Sequence, residues 1–158
     1  MHHTTKCRHA TNRSVVQNDR VTQPDMREIN RTVVERFRSG GELPHGMHHE
    51  RLVLLTTRGQ RTGREHTTPM MFHADDDRLL VIASNAGATR HPDWYHNLVA
   101  DPHVTVEVGE ARYEALAAPL TGEDRERTWA MLKQTYPFLV DHEKQAARDI
   151  PVVALTRA

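Results

Sequence analysis

The chain has 158 residues, no net charge at neutral pH, a negative mean hydropathy and one cysteine, Cys7. This length fits one domain with its own core, and a single cysteine excludes an internal disulfide. No apolar run approaches the roughly 20 residues of a membrane-spanning helix, and residues 1–18 lack the apolar stretch of a secretory signal. We therefore expect a cytoplasmic protein.

Charge is distributed unevenly along the chain. Residues 1–64 hold 12 Lys and Arg against 6 Asp and Glu, giving +6, whereas residues 65–158 hold 9 against 15, giving −6. A basic half favours a small anionic ligand. Nucleic-acid binding is not expected, because it calls for a larger basic excess with interleaved aromatics, and aromatics make up only 5% here. The 12 histidines are scattered and show no H-E-x-x-H pattern, so no metal site is predicted.

The first predicted element is a polar leader, residues 1–23, which lacks periodicity and is expected to be disordered or loosely attached. Residues 24–158 are expected to form a single domain. This domain begins with a helix that starts at Pro24 or Asp25 and ends at Ser39, with Gly following. Its apolar stripe, at steps of three and four, consists of Met26, Ile29, Val33 and Phe37. The many charged residues of this helix leave peripheral contact with a membrane open.

Six short strands are predicted from apolar runs and from period-two alternation. They cover residues 52–57, 66–72, 78–83, 104–108, 111–118 and 152–156. The acidic turn Asp75–Asp77 precedes the third strand, and Pro151 precedes the last one. The first two strands are separated by a Gly-containing turn and are expected to pair.

Three further helical segments are predicted between the strands. One runs from about residue 91 to residue 100, with a proline in its first turn. The next follows Thr121, which forms a weak capping box with Asp124. Pro137 starts a short third segment that ends before residue 150. Six short strands and few helices predict an α+β protein built on a small β-barrel or half-open sheet.

The turn between the first two strands is the first candidate site. It reads Arg-Gly-Gln-Arg-Thr-Gly-Arg, with Arg58, Arg61 and Arg64 spaced three apart. Glycine lets a ligand approach the backbone closely, and arginine presents a planar fork of donors that matches phosphate or carboxylate. The same residues also suit a plain solvated turn, so both an anion site and a plain turn stand at this point.

A second candidate segment runs from Ile82 to Leu98, where a strand ends in small residues and a helix then begins. Small residues at a strand end let a flat ligand come close, and a helix N-terminus favours negative charge. Trp94 adds aromatic surface, and Asn97 is placed to bond a ligand edge. The alternative is that Trp94 and Leu98, four residues apart, only fill the core.

Four motifs in this order resemble the deazaflavin-dependent nitroreductase family. They read Thr-Thr-Arg-Gly-Gln-Arg-Thr-Gly, Thr-Thr-Pro-Met, Ala-Ser-Asn-Ala-Gly and His-Pro-Asp-Trp-Tyr-His-Asn-Leu. The similarity extends from about Arg27 to Leu155 and includes Thr-Tyr-Pro and Ile-Pro-Val-Val. It implies a split β-barrel of about six strands with peripheral helices. It also implies coenzyme F-420, an 8-hydroxy-5-deazaflavin with a phosphate and an oligoglutamate tail.

The resemblance also implies which residues bind this coenzyme. The phosphate and tail would be held by Gln60, Arg61, Thr62 and His66. The ring would lie along Thr67, Thr68, Pro69, Met70 and Met71, and along Ile82, Ala83, Ser84 and Asn85. The pocket would be closed by Asp93, Trp94, Tyr95, His96 and Asn97, and covered by Leu139. Family members often carry Arg or Lys where this chain has Gln60, His66 and Asn85.

The activity implied by the resemblance is hydride transfer from the reduced coenzyme to a small electron-poor acceptor, such as a nitro compound, a quinone or an enone. Because the coenzyme carries the hydride, the protein positions the acceptor and supplies a proton. The catalytic candidates are Ser84, Tyr136 and His142. A non-catalytic carrier of F-420, FMN, haem or fatty acid is the alternative function, and FMN is the alternative cofactor. A homodimer is left open.

Overall fold

The computed structural model describes residues 26–44 and 46–158, so the predicted leader and the predicted helix start at Pro24 or Asp25 lie outside these ranges. Residues 33–158 form one unit; of the other unit, residues 1–32, the described part belongs to the first helix. The helices are α1 (Met26–Ser39), α2 (Asp93–Ala100), α3 (Gly122–Thr135) and α4 (Phe138–Ala146). None of the helices in the described ranges is long and apolar enough to span a bilayer.

Seven strands form one antiparallel sheet in the order β2-β1-β5-β6-β7-β4-β3. Their bounds are β1 (Leu52–Arg58), β2 (Glu65–Met71), β3 (His73–Asp75), β4 (Arg78–Ile82), β5 (His103–Val108), β6 (Ala111–Pro119) and β7 (Val152–Arg157). The two end strands, β2 and β3, are consecutive in the chain, and Cα atoms of β2 and β4 approach within 8 Å. The sheet is therefore curled into a half-barrel that opens between β2 and β4, and the predicted split β-barrel is confirmed.

The two faces of the sheet bury different apolar clusters, because successive side chains of a strand point to opposite sides. The inner face fills the barrel with Val53, Leu55, Val81, Val104, Val106, Ala115, Ala117, Val153 and Leu155, together with Leu98 of α2. The outer face carries Leu80, Val152 and Ala154, which pack against Trp129 and Leu132 of α3 and Leu139 of α4. Each large apolar side chain buried in this way contributes about 1.5–3 kcal/mol. The outer cluster fixes α3 and α4 beside β4.

The end of α1 is attached to the outer face of β5 by an ion pair whose carboxylate is buried and whose arginine is half-exposed. Arg38 donates two hydrogen bonds to Glu107, with Nε–Oε1 at 3.0 Å and Nη2–Oε2 at 2.8 Å. Glu107 is 9% exposed, and a buried carboxylate is costly unless it is paired and hydrogen-bonded. The hydrogen bond to Glu107 raises the pKa of Arg38 above its usual value.

Residues 26–44 and 46–158 contain one strand more than the sequence predicts for them. All six predicted strands are present within one or two residues of their predicted bounds, and β3 is the addition. Its three residues pair with Arg78–Leu80 across a turn in which Asp76 has a φ of 53°. Three residues are too few to show a period-two pattern, so this strand depends on its pairing with β4.

The predicted capping box at the start of α3 is wrong. Thr121 is the N-cap residue, but its side chain makes no capping hydrogen bond. Asp124 instead accepts hydrogen bonds from both terminal nitrogens of Arg78, at 3.3 Å each, and from Thr128. Hydrogen bonds between charged groups are stronger than those between neutral groups. Asp124 therefore bonds Arg78 of β4 and does not cap the N-terminus of α3.

Candidate functional site

The tip of the β1–β2 hairpin carries the predicted anion-binding residues. Gly59 N donates to Arg64 O at 2.7 Å and Gly63 N donates to Gly59 O at 2.8 Å, which closes the turn. Gly63 has a φ of +72°, a left-handed conformation that glycine adopts without strain. Arg61 and Arg64 are exposed, and their guanidinium groups have no hydrogen bond or ion pair with any described residue. Two permanent positive charges at the tip are thus available to a ligand.

Two further predicted residues, Thr62 and His66, lie directly against the backbone of this turn. A Cβ atom at Gly59 would stand 3.0 Å from His66 Nε2 and 3.1 Å from Thr62 Oγ1. The absence of a side chain at Gly59 therefore lets both polar groups close in on the same point. Arg58 differs from the other arginines of the turn, because its Nε lies 4.0 Å from the Asp101 carboxylate and is partly neutralised.

Asn97 joins the hairpin tip to α2. Its Oδ1 accepts a hydrogen bond from Gln60 N at 3.2 Å, and its Nδ2 donates to Thr57 Oγ1 at 3.2 Å. The side chain is only 8% exposed. The backbone N–H of Gln60 requires an acceptor, which settles the orientation of the amide. The residue predicted to meet a ligand edge thus bonds the hairpin through both ends of its amide.

The two predicted ring-binding segments lie along the opening of the half-barrel. β2 is an end strand of the sheet, so one edge of residues 67–71 has no partner strand among the described residues. β3 pairs with β4 only over Arg78–Leu80, which leaves the same edge of Val81 and Ile82 without a strand partner there. Backbone N–H and C=O groups at such edges need partners. They suit a flat ring that carries its own donors and acceptors.

The loop after β4 is held by Arg148, a residue that the sequence reasoning missed. The Arg148 guanidinium donates to four carbonyl oxygens at 3.1–3.3 Å: those of Ala83, Ser84, Ala88 and Arg90. Its Nη1 also lies 2.8 Å from His91 Nδ1. Removal from water lowers the pKa of Arg148. These five contacts hold the segment 83–91 in its conformation. The role of Arg148 can be recognised only in the fold, because these partners lie at least 57 residues away in the chain.

The contact with Arg148 determines the protonation state of His91. Arginine is only a donor, so His91 Nδ1 must accept, and a ring with an accepting nitrogen is neutral. The pKa of His91 is lowered from its ordinary value by burial first, then by the charges of Arg148 and His96. Both the geometry and the shift therefore favour a neutral imidazole with its hydrogen on Nε2.

Three consecutive residues of the same loop have positive φ angles, and packing against α4 holds them in this conformation. Asn85 and Ala86 have positive φ angles of 50° and 54°, which are uncommon for residues with a side chain. Gly87 has a φ of +83°, and a Cβ there would come 2.6 Å from Gln145 Oε1 of α4. The 3₁₀ turn Asn85–Gly87 thus lies tightly against α4, and a conformation of this kind at a strand end is typical of functional sites.

Replacing Arg148 by methionine is expected to loosen residues 84–91 while the barrel stays folded. Methionine keeps the apolar stem but removes every donor to the loop carbonyls. We expect faster amide hydrogen exchange in this segment and several-fold weaker binding of the ligand that uses it. Arg125→Met is a matched control, since Arg125 donates to Ile150 O at 2.8 Å and not to the loop. Equal exchange changes in both variants would contradict the assignment.

The free energy of unfolding is expected to decrease when the pH is lowered, because His91 is neutral in the folded protein. A lowered folded-state pKa means that the unfolded chain binds more protons, so the stabilisation is complete above the unfolded value near 6.5 and is lost below it. Melting temperatures from pH 7.5 to pH 5.5 test this against His91→Asn, whose Oδ1 can still accept from Arg148. Wild type should lose more stability than the variant over this interval. Parallel curves would contradict it.

The three catalytic candidates differ in their surroundings. Ser84 is half-buried, and its hydroxyl has no hydrogen-bond partner among the described residues. The Tyr136 hydroxyl lies 2.9 Å from His73 Nδ1. His142 packs edge-on against Phe138 with ring centroids 5.3 Å apart, and its Nδ1 is buried without a described partner. The Ser84 hydroxyl can therefore accept a ligand contact, whereas His142 Nδ1 is a buried polar atom whose partner is not found among the described residues.

The remaining predicted residues divide into buried and exposed ones. Leu139 is 1% exposed and belongs to the outer apolar cluster, and Ala83 is buried. Trp94 and Tyr95 are half-buried and pack against the barrel core, so Trp94 contacts the core while part of its side chain stays exposed. The exposed residues are Asn85, Asp93 and His96. Asn85 is tied to its own loop, because its Nδ2 donates to Arg90 O at 3.1 Å.

These features together fit an elongated ligand with a flat ring and an anionic tail. The open edges of β2 and β4 offer backbone donors and acceptors to the ring. The tip of the adjoining hairpin offers Arg61 and Arg64 to negative charge, and guanidinium groups match phosphate and carboxylate. Coenzyme F-420, as the resemblance describes it, has this combination of parts.

The comparisons with known proteins agree with this fit. The family model of F-420H(2)-dependent quinone reductase matches residues 28–157. An F-420H(2)-dependent quinone reductase of Mycobacterium tuberculosis is 36% identical over 108 residues, which cover 66% of this chain and 72% of the relative. A solved F-420-H2-dependent reductase, FDR-A, is 32% identical with a TM-score of 0.61, over 70% of this chain and 99% of that one.

A second solved structure, described as a domain-swapped dimer, is 30% identical with a TM-score of 0.63 and covers 79% of this chain and 95% of its own. The family resemblance seen in the four motifs is confirmed by these matches. Since the family model spans most of the chain, from the first helix to the last strand, the protein belongs to the F-420H(2)-dependent quinone reductase family.

Proposed function

We propose that this protein binds coenzyme F-420 and uses its reduced form to reduce a quinone-type acceptor. The observation that carries the proposal is the hairpin tip, where Arg61 and Arg64 are exposed and unpaired among the described residues beside an open sheet edge. The reduced coenzyme supplies the hydride when it is bound. The chain supplies the binding surface, the orientation and the acceptor site.

The coenzyme phosphate and tail are held in this proposal by the hairpin tip. Arg61 is the central contact, with Thr62, His66 and the polar side chain of Gln60 around it. Arg64 adds charge from the same turn. The guanidinium of Arg90 has no described partner either and lies on the loop held by Arg148. Arg64 and Arg90 therefore offset part of the charge that is missing at Gln60, His66 and Asn85.

The ring is placed along β2, from Thr67 to Met71, and along the end of β4, from Ile82 to Asn85. The segment Asp93–Asn97 borders the tail end of this groove, because Asn97 ties α2 to Gln60. Ser84, Tyr136 and His142 stay the proposed residues for the acceptor. A nitro compound or an enone remains in the proposed acceptor range, with quinone as the class that the family name supports.

The proposed working unit is the domain formed by residues 24–158, in the cytoplasm. The single cysteine of the sequence supports a reducing compartment. A homodimer is supported only by the solved relative that is described as a domain-swapped dimer.

The test is a titration of the purified protein with F-420, followed by tryptophan fluorescence, with FMN titrated in parallel. We expect micromolar affinity for F-420, about −8 kcal/mol, and none for FMN. The reduced coenzyme should then be oxidised faster when 1,4-naphthoquinone is added. Binding without turnover would identify a carrier instead. Binding of FMN alone would assign the protein to the flavin-dependent proteins of this fold.

A further inference from the structure

Four rings form a continuous row beside the end of β4. The ring centroids of His73 and Tyr136 are 5.7 Å apart with an interplanar angle of 87°. Those of Tyr136 and Phe138 are 6.2 Å apart, and those of Phe138 and His142 are 5.3 Å apart. Tyr136 and His142 were predicted from the sequence, whereas His73 and Phe138 were not, because residues from β3 and from the α3–α4 junction meet only in the fold.

This row lies on the side of the sheet that carries Ile82. His73 stands directly opposite Leu80 in the β3–β4 register, and directly opposed residues of paired strands share a face. Ile82 follows Leu80 by two residues and points the same way. Tyr136 and Ile82 both pack against the outer cluster that contains Leu80. The row therefore borders the segment of β4 on which the coenzyme ring is proposed to lie.

The row offers aromatic surface together with polar atoms. Phe138 is 44% exposed, so part of its side chain is open to a ligand. His73, Tyr136 and His142 are half-buried, so part of each ring remains reachable. A quinone is a flat ring whose carbonyl oxygens only accept hydrogen bonds, and aromatic faces favour such rings. Its chemistry is complementary to the row.

The direction of one hydrogen bond decides whether Tyr136 can hold a quinone. A tyrosine hydroxyl has one hydrogen to donate. If that hydrogen is spent on His73 Nδ1, at 2.9 Å, none is left for a carbonyl oxygen. If His73 carries its hydrogen on Nδ1 and donates, the hydroxyl accepts and its own hydrogen is free. Donation by the imidazole also strengthens the hydroxyl as a donor, since consecutive hydrogen bonds polarise each other.

We infer that His73 is a positioning residue for the acceptor: it donates from Nδ1 to Tyr136, which turns the tyrosine hydroxyl toward a quinone carbonyl oxygen lying on Phe138. This inference rests on the proposed function for the identity of the acceptor. His73 acts through Tyr136 and touches neither the coenzyme nor the quinone. The arrangement makes affinity for the quinone depend on a residue of β3, the strand absent from the sequence prediction.

The first test measures the ring nitrogens of His73 by ¹⁵N NMR in the ligand-free protein, assigned with His73→Asn. A hydrogen on Nδ1 and none on Nε2 is the expected result, and Tyr136→Phe should shift the Nδ1 signal. A hydrogen on Nε2 alone would overturn the inference, because Nδ1 would then accept from Tyr136. This measurement needs neither coenzyme nor turnover.

The second test compares variants by 1,4-naphthoquinone binding and by KM. His73→Phe keeps an aromatic ring but loses the donor, and loss of a neutral hydrogen bond should raise the Kd and KM roughly three- to tenfold. His73→Asn, which keeps a donor near the Nδ1 position, should stay within about twofold of wild type, in keeping with a retained contact. His73→Phe in a Tyr136→Phe background should add nothing.

The affinity for F-420 should be unchanged in every His73 and Tyr136 variant. His103→Phe is the control, because His103 is an exposed histidine at the start of β5 that bonds Asp101. An unchanged quinone KM in folded His73→Phe, beside a raised KM in Tyr136→Phe, would overturn the inference. If His73→Phe does not fold, the His73→Asn variant and the NMR measurement decide. Failure of wild type to bind F-420 would instead overturn the proposed function.

Discussion

Replacing Arg61 by alanine is expected to weaken F-420 binding by roughly tenfold to a hundredfold. A charge-assisted hydrogen bond contributes about 1.5–3 kcal/mol, and 1.4 kcal/mol corresponds to a factor of ten in Kd. Arg61 is exposed and has no partner among the described residues, so its removal should leave the free energy of unfolding within about 0.5 kcal/mol of wild type. Fluorescence titration and thermal melting measure the two quantities.

The control for this variant is Arg127→Ala, which removes an exposed arginine from α3 and should not change the affinity. The reverse change is also available, because the family resemblance implies a positive residue at the position of Gln60. Gln60→Arg should strengthen F-420 binding. The substitution keeps the backbone N–H of residue 60, which donates to Asn97 Oδ1. An Arg61→Ala protein that is folded and binds F-420 as tightly as wild type would remove the hairpin tip from the site.

The second large effect is expected at Asn97, where Asn97→Leu should lower the free energy of unfolding by roughly 2–4 kcal/mol. The amide bonds Gln60 N and the Thr57 hydroxyl, and Thr57 is 1% exposed. A buried polar group left without a partner costs about 1–3 kcal/mol. We also expect F-420 affinity to fall, because the backbone of Gln60 loses its anchor to α2. Denaturant unfolding and titration measure both effects.

A double-mutant cycle separates the buried contact from the loop contact. Thr57→Val removes the hydroxyl partner, so Asn97→Leu in that background should cost clearly less than it does in wild type. The affinity loss should persist in the double variant, because Gln60 N remains without its acceptor. Strictly additive stability effects would show that the Thr57–Asn97 hydrogen bond contributes nothing.

These predictions describe a site whose binding residues and supporting residues are separate. Arg61 and Arg64 face outward, whereas Asn97 and Arg148 hold the two loops from behind. Loops that bind ligands need such anchors, since a small displacement of a charged donor changes its distance to the ligand. Asn97 anchors the loop before β2 and Arg148 anchors the loop after β4.

Much of the fold was predictable from local pattern alone. Alternating valines in β5 and the apolar run of β1 are long enough to show their period, so their strands and buried faces could be read directly. The hairpin tip was likewise predictable, because Gly59 and Gly63 with three arginines combine turn chemistry and anion chemistry within seven residues. The four ordered motifs then indicated the family, which the later matches confirmed.

The capping box at Thr121 and Asp124 failed for a reason that no local pattern contains. Arg78 is 46 residues away from Asp124 in the chain, yet it lies within hydrogen-bond distance in the fold. The hydrogen bonds of Asn97 were unpredictable for the same reason, since its partner Thr57 is 40 residues away. Polar side chains bond the partners that lie near them in space, and the spacing of residues in the sequence does not predict contacts across the sheet.

The sequence by itself determined six of the seven strands of the described sheet and the family, and it predicted an anionic ligand. Each of these depends on neighbouring residues, on periodicity or on motifs in order. Only the tertiary structure decided which groups are free to bind and which are occupied. Arg148 spans the segment 83–91, and His73 meets Tyr136 across 63 residues of chain. Hydrogen bonds act over about 3 Å, so their pairing is settled by packing and not by order along the chain.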